Sequence, residues 1–142
     1  MSDTLQNVCV QVATYLRALS GVRAAPDYPP DKIDPFPFVV VYPASGTWEF
    51  GVAGEKLGLH VLAVELHVAR KDLPRDMQKA LDFGDSVPNL LMSKLHNDNK
   101  WNGKIDAFGR ITYTFGPLGW NGISTLGFKW LVEGVKLRSA IT

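Results

Sequence analysis

Three histidines, His60, His67 and His96, and a single cysteine, Cys9, are the side chains of this chain best suited to metal or nucleophilic chemistry. His60 and His67 lie in one segment of strand-like pattern, seven positions apart. An odd separation in a strand sends them to opposite faces, so they cannot share a metal ion, and each reads as an ordinary sheet histidine. His96 follows a helical stretch, where an imidazole suits the negative end of the helix dipole. With one thiol and three imidazoles a structural zinc site is not expected, nor is any other metal or cofactor. A cysteine nucleophile needs a base and an electropositive, accessible setting. Cys9 has neither nearby in sequence and sits one position from an apolar stripe, which favours packing.

Acidic pairs at helical spacing, Asp82 with Asp85 and Asp72 with Asp76, suggest acid–base catalysis only if one carboxyl is desolvated and the other ionised. Their neighbours Lys71, Arg75 and Lys79 point instead to a solvated helix face with cross-turn ion pairs. The glycine-rich segment 116–122 (GPLGWNG) lacks the lysine and hydroxyl of a phosphate loop and joins two strands, so it reads as a wide hairpin bend. It carries Leu118 and Trp120, while Trp101 stands in the polar segment 97–104 (NDNKWNGK). A large aromatic brings about 150–250 Å² of surface. Each tryptophan therefore either folds back over its own core or anchors an interface. Arg70, Lys71 and Arg75 are interrupted by Asp72 and Asp76, and aromatic residues do not interleave with basic ones, so nucleic-acid binding has little support.

The elements that must position these residues follow from period and punctuation. Leu5, Val8, Val12, Leu16 and Leu19 recur at helical spacing behind Ser2, Asp3 and Thr4, all good caps, which predicts a helix over residues 3–20 stopping near Gly21. Pro26, Pro29, Pro30, Pro35 and Pro37 turn residues 24–37 into an extended connector lying across a surface. Residues 38–42 (FVVVY) suit a strand ended by Pro43, and residues 47–50 (TWEF) a second, half-buried one before a loop at 51–58. Residues 59–69 form the strongest strand: His60, Leu62, Val64, Leu66 and Val68 share one face, and Leu59, Val61, Ala63, Glu65 and His67 the other. Residues 73–95 read as helix with a kink or break at Pro88. Strands return at 109–115 and 123–137, the last with Leu126, Phe128, Trp130 and Val132 on one side and Thr125, Lys129 and Glu133 on the other.

This order predicts an α+β fold: a mainly antiparallel, or mixed, sheet with two to three helices on one face, in one domain spanning residues 1–142. At 46% hydrophobic and 20% charged residues, the chain has an ordinary globular composition, and its formal net charge of +1 supplies no general attraction to nucleic acid or anionic membrane. Signal-peptide features and an apolar run of about 18 residues are absent from the sequence, which predicts a cytoplasmic product with no membrane partner. Helices on one side leave Leu59 and Val61 partly wet on the other, and a second contact surface is expected there.

Three stretches resemble the tail-terminator (tail-completion, head-tail joining) proteins of phages with long non-contractile tails: PPDKIDPFPFVVVYPASGTWEFG, LHVLAVELHVARKDLPRDMQKALDFGDSVPNLLM and RITYTFGPLGWNGISTLGFKWLVE. The resemblance implies a non-enzymatic virion protein, assembled in the host cytoplasm, that forms a homo-oligomeric, hexameric ring. Such a ring caps the tail tube and meets the head-completion or connector protein, and DNA passes through it without specific binding. The residues expected at the subunit interface, read from this sequence alone, are Leu59, Val61, Trp101, Leu118 and Trp120. Two other readings compete: a different head-tail connector or minor tail protein, and a small α+β ligand-binding domain or enzyme. The latter predicts a pocket with convergent polar groups.

Overall fold

The computed structural model describes residues 4–71 and 73–141. Ser2, Asp3 and Asp72 lie outside the described residues. The first helix, α1, spans Leu5–Arg17, with Thr4 as its cap: the Thr4 Oγ1 accepts the Asn7 N–H at 3.2 Å. Val8, Val12 and Leu16 of the apolar stripe are fully buried and Cys9 is buried beside them, its thiol pushed up to about 11 by burial. The helix ends three residues before the expected limit, in short-range turns through Leu19 and Val22.

Four strands follow in an antiparallel sheet of spatial order β1-β2-β4-β3: β1 Phe38–Phe50, β2 Glu55–Val68, β3 Arg110–Trp120 and β4 Ile123–Ala140. Pro43 does not end the first strand. As an outer strand, β1 tolerates a residue without a donor, and a bulge between Pro43 and Ser45 carries the chain through to Phe50. The expected strands at 38–42 and 47–50 are thus one. A second bulge, where His60 pairs with Val135 and Leu62 with Val132, contains Gly134 at φ 74°. The glycine-rich segment is not a wide bend either. β3 continues to Trp120 and turns on two residues, Asn121 (φ 48°) and Gly122 (φ 85°), a left-handed pair that only Asn-Gly and its relatives adopt without strain.

Three helices cover one face of this sheet. After α1 come α2 (Leu73–Leu81) and α3 (Phe83–Asn97), separated at Asp82 rather than at Pro88, which lies within α3. Val8, Val12, Leu16, Phe83, Val87 and Leu91 of the helices meet Val39, Val41, Leu62, Val64, Leu66, Phe128, Trp130 and Val132 of the strands in one core. α2 adds Ala80 against Val68 and Leu126. The strand alternation expected for β2 holds along its length, and that for β4 holds through Glu133. Beyond it the bulge shifts the phase by one residue, so Val135 and Leu137 take the core side.

Between α3 and β3 the chain makes a left-handed turn, Asn99–Gly103, in which Asn99, Lys100, Trp101 and Asn102 have φ of 47–58°. Asn and Gly accept this conformation readily, whereas at Lys100 and Trp101 it costs ~1–2 kcal/mol each. The turn drives Trp101 inward: its side chain is 0% exposed, its Nε1–H donates to the Leu91 carbonyl at 2.9 Å, and its ring lies 5.3 Å from Phe108. Trp101 is therefore a core residue and not an interface anchor, because burying its indole offsets the strain of the turn. Trp101→Ala is expected to lower unfolding free energy by ~3–5 kcal/mol in urea titration, the range for emptying a buried aromatic site. A loss under about 1 kcal/mol, the scale of a typical surface change, would remove Trp101 from the core.

Candidate assembly surface

The face of the sheet opposite the helices divides into two halves with different fates. Over the half near Phe38, Thr125 and His67, the proline connector folds back as a strap. Ala24 pairs beside Phe38, Ile33 is buried against Phe38 and Val40, and Trp120 packs over the same cluster. Two side chains of the β3–β4 hairpin end hold the strap: Trp120 Nε1–H donates to the Pro30 carbonyl and Asn121 Nδ2–H to the Asp31 carbonyl, both at 2.8 Å. The Arg17 guanidinium bonds the Ala25 carbonyl at 3.1 Å and Asp27 at 2.5 Å, fixing the other end to α1.

Beneath the strap lies a buried polar chain. His67 Nδ1 is 2.6 Å from Thr125 Oγ1, His67 Nε2 is 3.0 Å from Glu65 Oε1, and the Tyr42 hydroxyl donates to Glu65 Oε2. Burial alone pushes the Glu65 carboxyl up. The hydrogen bonds from His67 and Tyr42, with the electrostatic pull of His67 and Lys129, outweigh that and hold it below the usual carboxylate range. Burial, then the bond to Glu65, raises the Tyr42 hydroxyl. A hydroxyl, an imidazole and a carboxylate in line have the composition of a catalytic relay. Here Thr125 and His67 are wholly buried, with the Trp120 ring 6.2 Å from the imidazole, so no substrate atom can reach the hydroxyl in this arrangement. The chain of bonds satisfies polar groups that would otherwise be expensive to bury.

Over the far half nothing among the described residues covers the sheet. There β1, β2 and the end of β4 run past β3 as a three-stranded arm, its tip turning through residues 51–54. The arm is apolar on both sides. Leu57 and Leu59 (49% exposed) stand on the face away from the helices, continuous with half-buried Val61. They are rimmed by Glu49, Lys136 and Arg138, with Arg138 3.6 Å from Asp106 and 3.8 Å from Glu55. Trp48, Phe50 (92% exposed) and Ile141 stand on the other side, and Val52 at the tip. Trp48 is braced by its neighbours: its ring meets the His60 imidazole edge-on at 4.5 Å, and the Lys56 ammonium lies 4.5 Å above it. His60 lies flat against the strands because Gly46 and Gly58 leave room. A Cβ on either would fall 2.1 or 2.3 Å from an imidazole nitrogen. Burial lowers the affinity of His60 for a proton, and among the described residues its Nε2 has no hydrogen-bond partner.

The five residues expected at an interface are thus distributed over three places. Leu59 and Val61 share the open half of the face. Leu118 and Trp120 lie half-buried on β3, with Trp120 committed to the strap rather than to a partner. Trp101 is in the core. Trp48, Phe50, Val52, Leu57 and Ile141, which that expectation did not name, are also exposed on the arm. The signal for them was two apolar alternations flanking the short turn sequence VAGE, a hairpin whose length exceeds what three helices can cover. His60 and His67 do point to opposite faces, and among the described residues no three His, Cys, Asp or Glu side chains converge as metal ligands. Among the described residues no helix is long and apolar enough to cross a membrane. No protein-family model matches the chain, and no curated protein matches it.

The Glu65 network carries a pH signature. A carboxylate held below its unfolded value contributes stability that is complete above the unfolded value, near 4.5, and is lost as pH falls through the lower, folded value. Glu65→Gln is expected to be less stable than the parent at pH 7, the gap narrowing as pH drops below about 4, where the parent's carboxylate also protonates. Thermal unfolding of both proteins from pH 7 to 3 checks this, and parallel pH profiles would show that Glu65 is not held by the network.

Proposed function

We propose that the chain is a structural subunit of a ring that caps the tail tube of a long-tailed bacteriophage and joins it to the head connector. The observation that carries the assembly part is the apolar arm: Trp48, Phe50, Val52, Leu57, Leu59 and Ile141 are exposed on one continuous projection, rimmed by charge. A fully exposed side chain of this kind gains ~1.5–3 kcal/mol on leaving water, which applies to Phe50 and Val52, and the half-buried ones gain a part of it, so a partner surface over the arm is favoured. An apolar centre with a charged rim has the anatomy of a protein interface. The phage part rests on the sequence resemblance of residues 29–51, 59–92 and 110–133 to tail terminators, stretches that include most of β1, β2 and β3.

In this reading the ring is the working form. Its subunit contacts use the arm, its two ends meet the tube and the connector, and near-neutral charge lets DNA pass without phosphate binding. The double variant Phe50→Ser, Leu59→Ser is expected to remain folded, each change shifting stability by no more than ~0.5 kcal/mol as surface substitutions do. It is also expected to lose the ability to end tube growth. Tail tubes polymerised from the cognate tube protein with the parent chain should stop at uniform length with a ring at one end in electron micrographs. Tubes that grow on with bare ends in the presence of the parent chain would refute the reading.

A further inference from the structure

The two outer strands expose different edges, and a proline bounds the free part of each. Along β1 the outer edge from residue 44 to 50 makes no backbone hydrogen bond among the described residues, and Pro43 closes that window. Along β3 the same is true from residue 110 to 116, and Pro117 closes it. The windows have equal length. Long open edges of this kind are pairing templates, and natural sheets normally protect them.

The two edges are also in phase. Gly51 N–H donates to the Glu55 carbonyl at 2.9 Å, which makes that a hydrogen-bonded pair. Alternation from it turns the N–H and C=O of Gly46, Trp48 and Phe50 outward. The two-residue turn makes Trp120 and Ile123 a hydrogen-bonded pair, and alternation from it turns those of Ile111, Tyr113 and Phe115 outward. Both outward sets carry side chains on the helix-covered side of the sheet: Gly46 aligns with His60 and Val135, and Tyr113 with Trp130. Backbone pairing of the two edges therefore matches side to side. Strand direction matches too. The sheet order alternates in direction, so β3 of one copy set beside β1 of the next, helices on the same side, is antiparallel.

We propose that the β1 edge of each copy pairs with the β3 edge of its neighbour, with Glu49 opposite Arg110, so that the sheets run on continuously around the ring. This rests on the ring reading above and specifies its seam. In that register Thr47 faces Thr112 and Ser45 faces Thr114 on one side, while Trp48 faces Ile111 and Gly46 faces Tyr113 on the other. Threonine pairs and opposite charges are favourable cross-strand neighbours. Tyr113, 65% exposed and 5.6 Å from Phe128, gains Gly46 opposite it, over which the His60 imidazole lies. Arg110, 3.4 Å from Glu133, is exposed enough to accept a second carboxylate. The β1 window lies farther toward the arm tip than the β3 window, and an offset of this kind is what closing a sheet on itself requires. Because the paired edges differ, the contact is head-to-tail and closes by rotation.

Full-length Glu49→Arg and Arg110→Glu test the seam by sedimentation, with circular dichroism confirming the fold of each. Either variant alone should raise the dissociation constant of the ring on the order of tenfold or more, because like charges meet at every seam. An equimolar mixture should restore rings. Where the two variants alternate, their reversed charges face each other at every second seam, and the native Glu49–Arg110 pair occupies the seams between. If the parent forms rings and the mixture assembles no better than either variant, the seam lies elsewhere and the ring reading stands. If the parent never assembles, seam and ring fall together.

Discussion

A sheet has two faces, and three short helices can dry only one of them. Everything distinctive in this chain follows from how the second face is handled. Over one half the chain covers itself with residues 24–37, pinned by the Trp120 indole and the Asn121 amide to two consecutive strap carbonyls. Over the other half the strands outrun all available cover. The strap and the arm are thus complementary answers to one constraint: apolar strand residues must leave water, either against their own chain or against another.

The strap explains why polar residues stand in the strongest strand. Glu65 and His67 stand on the face away from the helices, where the strap buries them, and they are tolerable there because Tyr42 and Thr125 complete their hydrogen bonds. Trp120 caps that network and ties the strap at once, linking the hairpin end to a segment 90 residues earlier in the chain. The arm is different in kind. Its bracing comes from His60, lying flat between two glycines, and from Trp48 packed edge-on against it, so the exposed aromatic is presented on a stiff support. A pre-organised anchor of that sort loses little conformational freedom on binding.

Much of this was legible from residue order. Period-2 alternation in residues 59–69 and 126–133 placed the core side of β2 and of the first part of β4, and the stripe through Val8, Val12 and Leu16 placed α1; the phase shift at the Gly134 bulge left no such sign. Local punctuation was less faithful. Pro43 interrupts a strand only if its missing donor is needed, and at a sheet edge it is not. Pro88 breaks a helix only if its neighbours cannot absorb it, and α3 runs through it. The Asn-Gly pair at 121–122 outweighs the other glycines around it, because a two-residue left-handed turn matches strand twist. The interface expectation went astray at Trp101 for a related reason. A tryptophan in polar sequence gives no sign of its direction, which here depends on four left-handed residues in succession. What periodicity reported correctly was that Leu59 and Val61 share an open face; where cover ends along that face is a tertiary fact about lengths, not a local one.

The central claim is that the arm's apolar surface is covered by other copies of the chain in a closed ring. Light scattering of the purified protein across a concentration series, at low and moderate salt, tests it most directly. The account predicts a single discrete closed oligomer, a hexamer if the tail-terminator resemblance holds, reached with rising concentration and then constant in mass. A strict monomer at every concentration and both salts would contradict it.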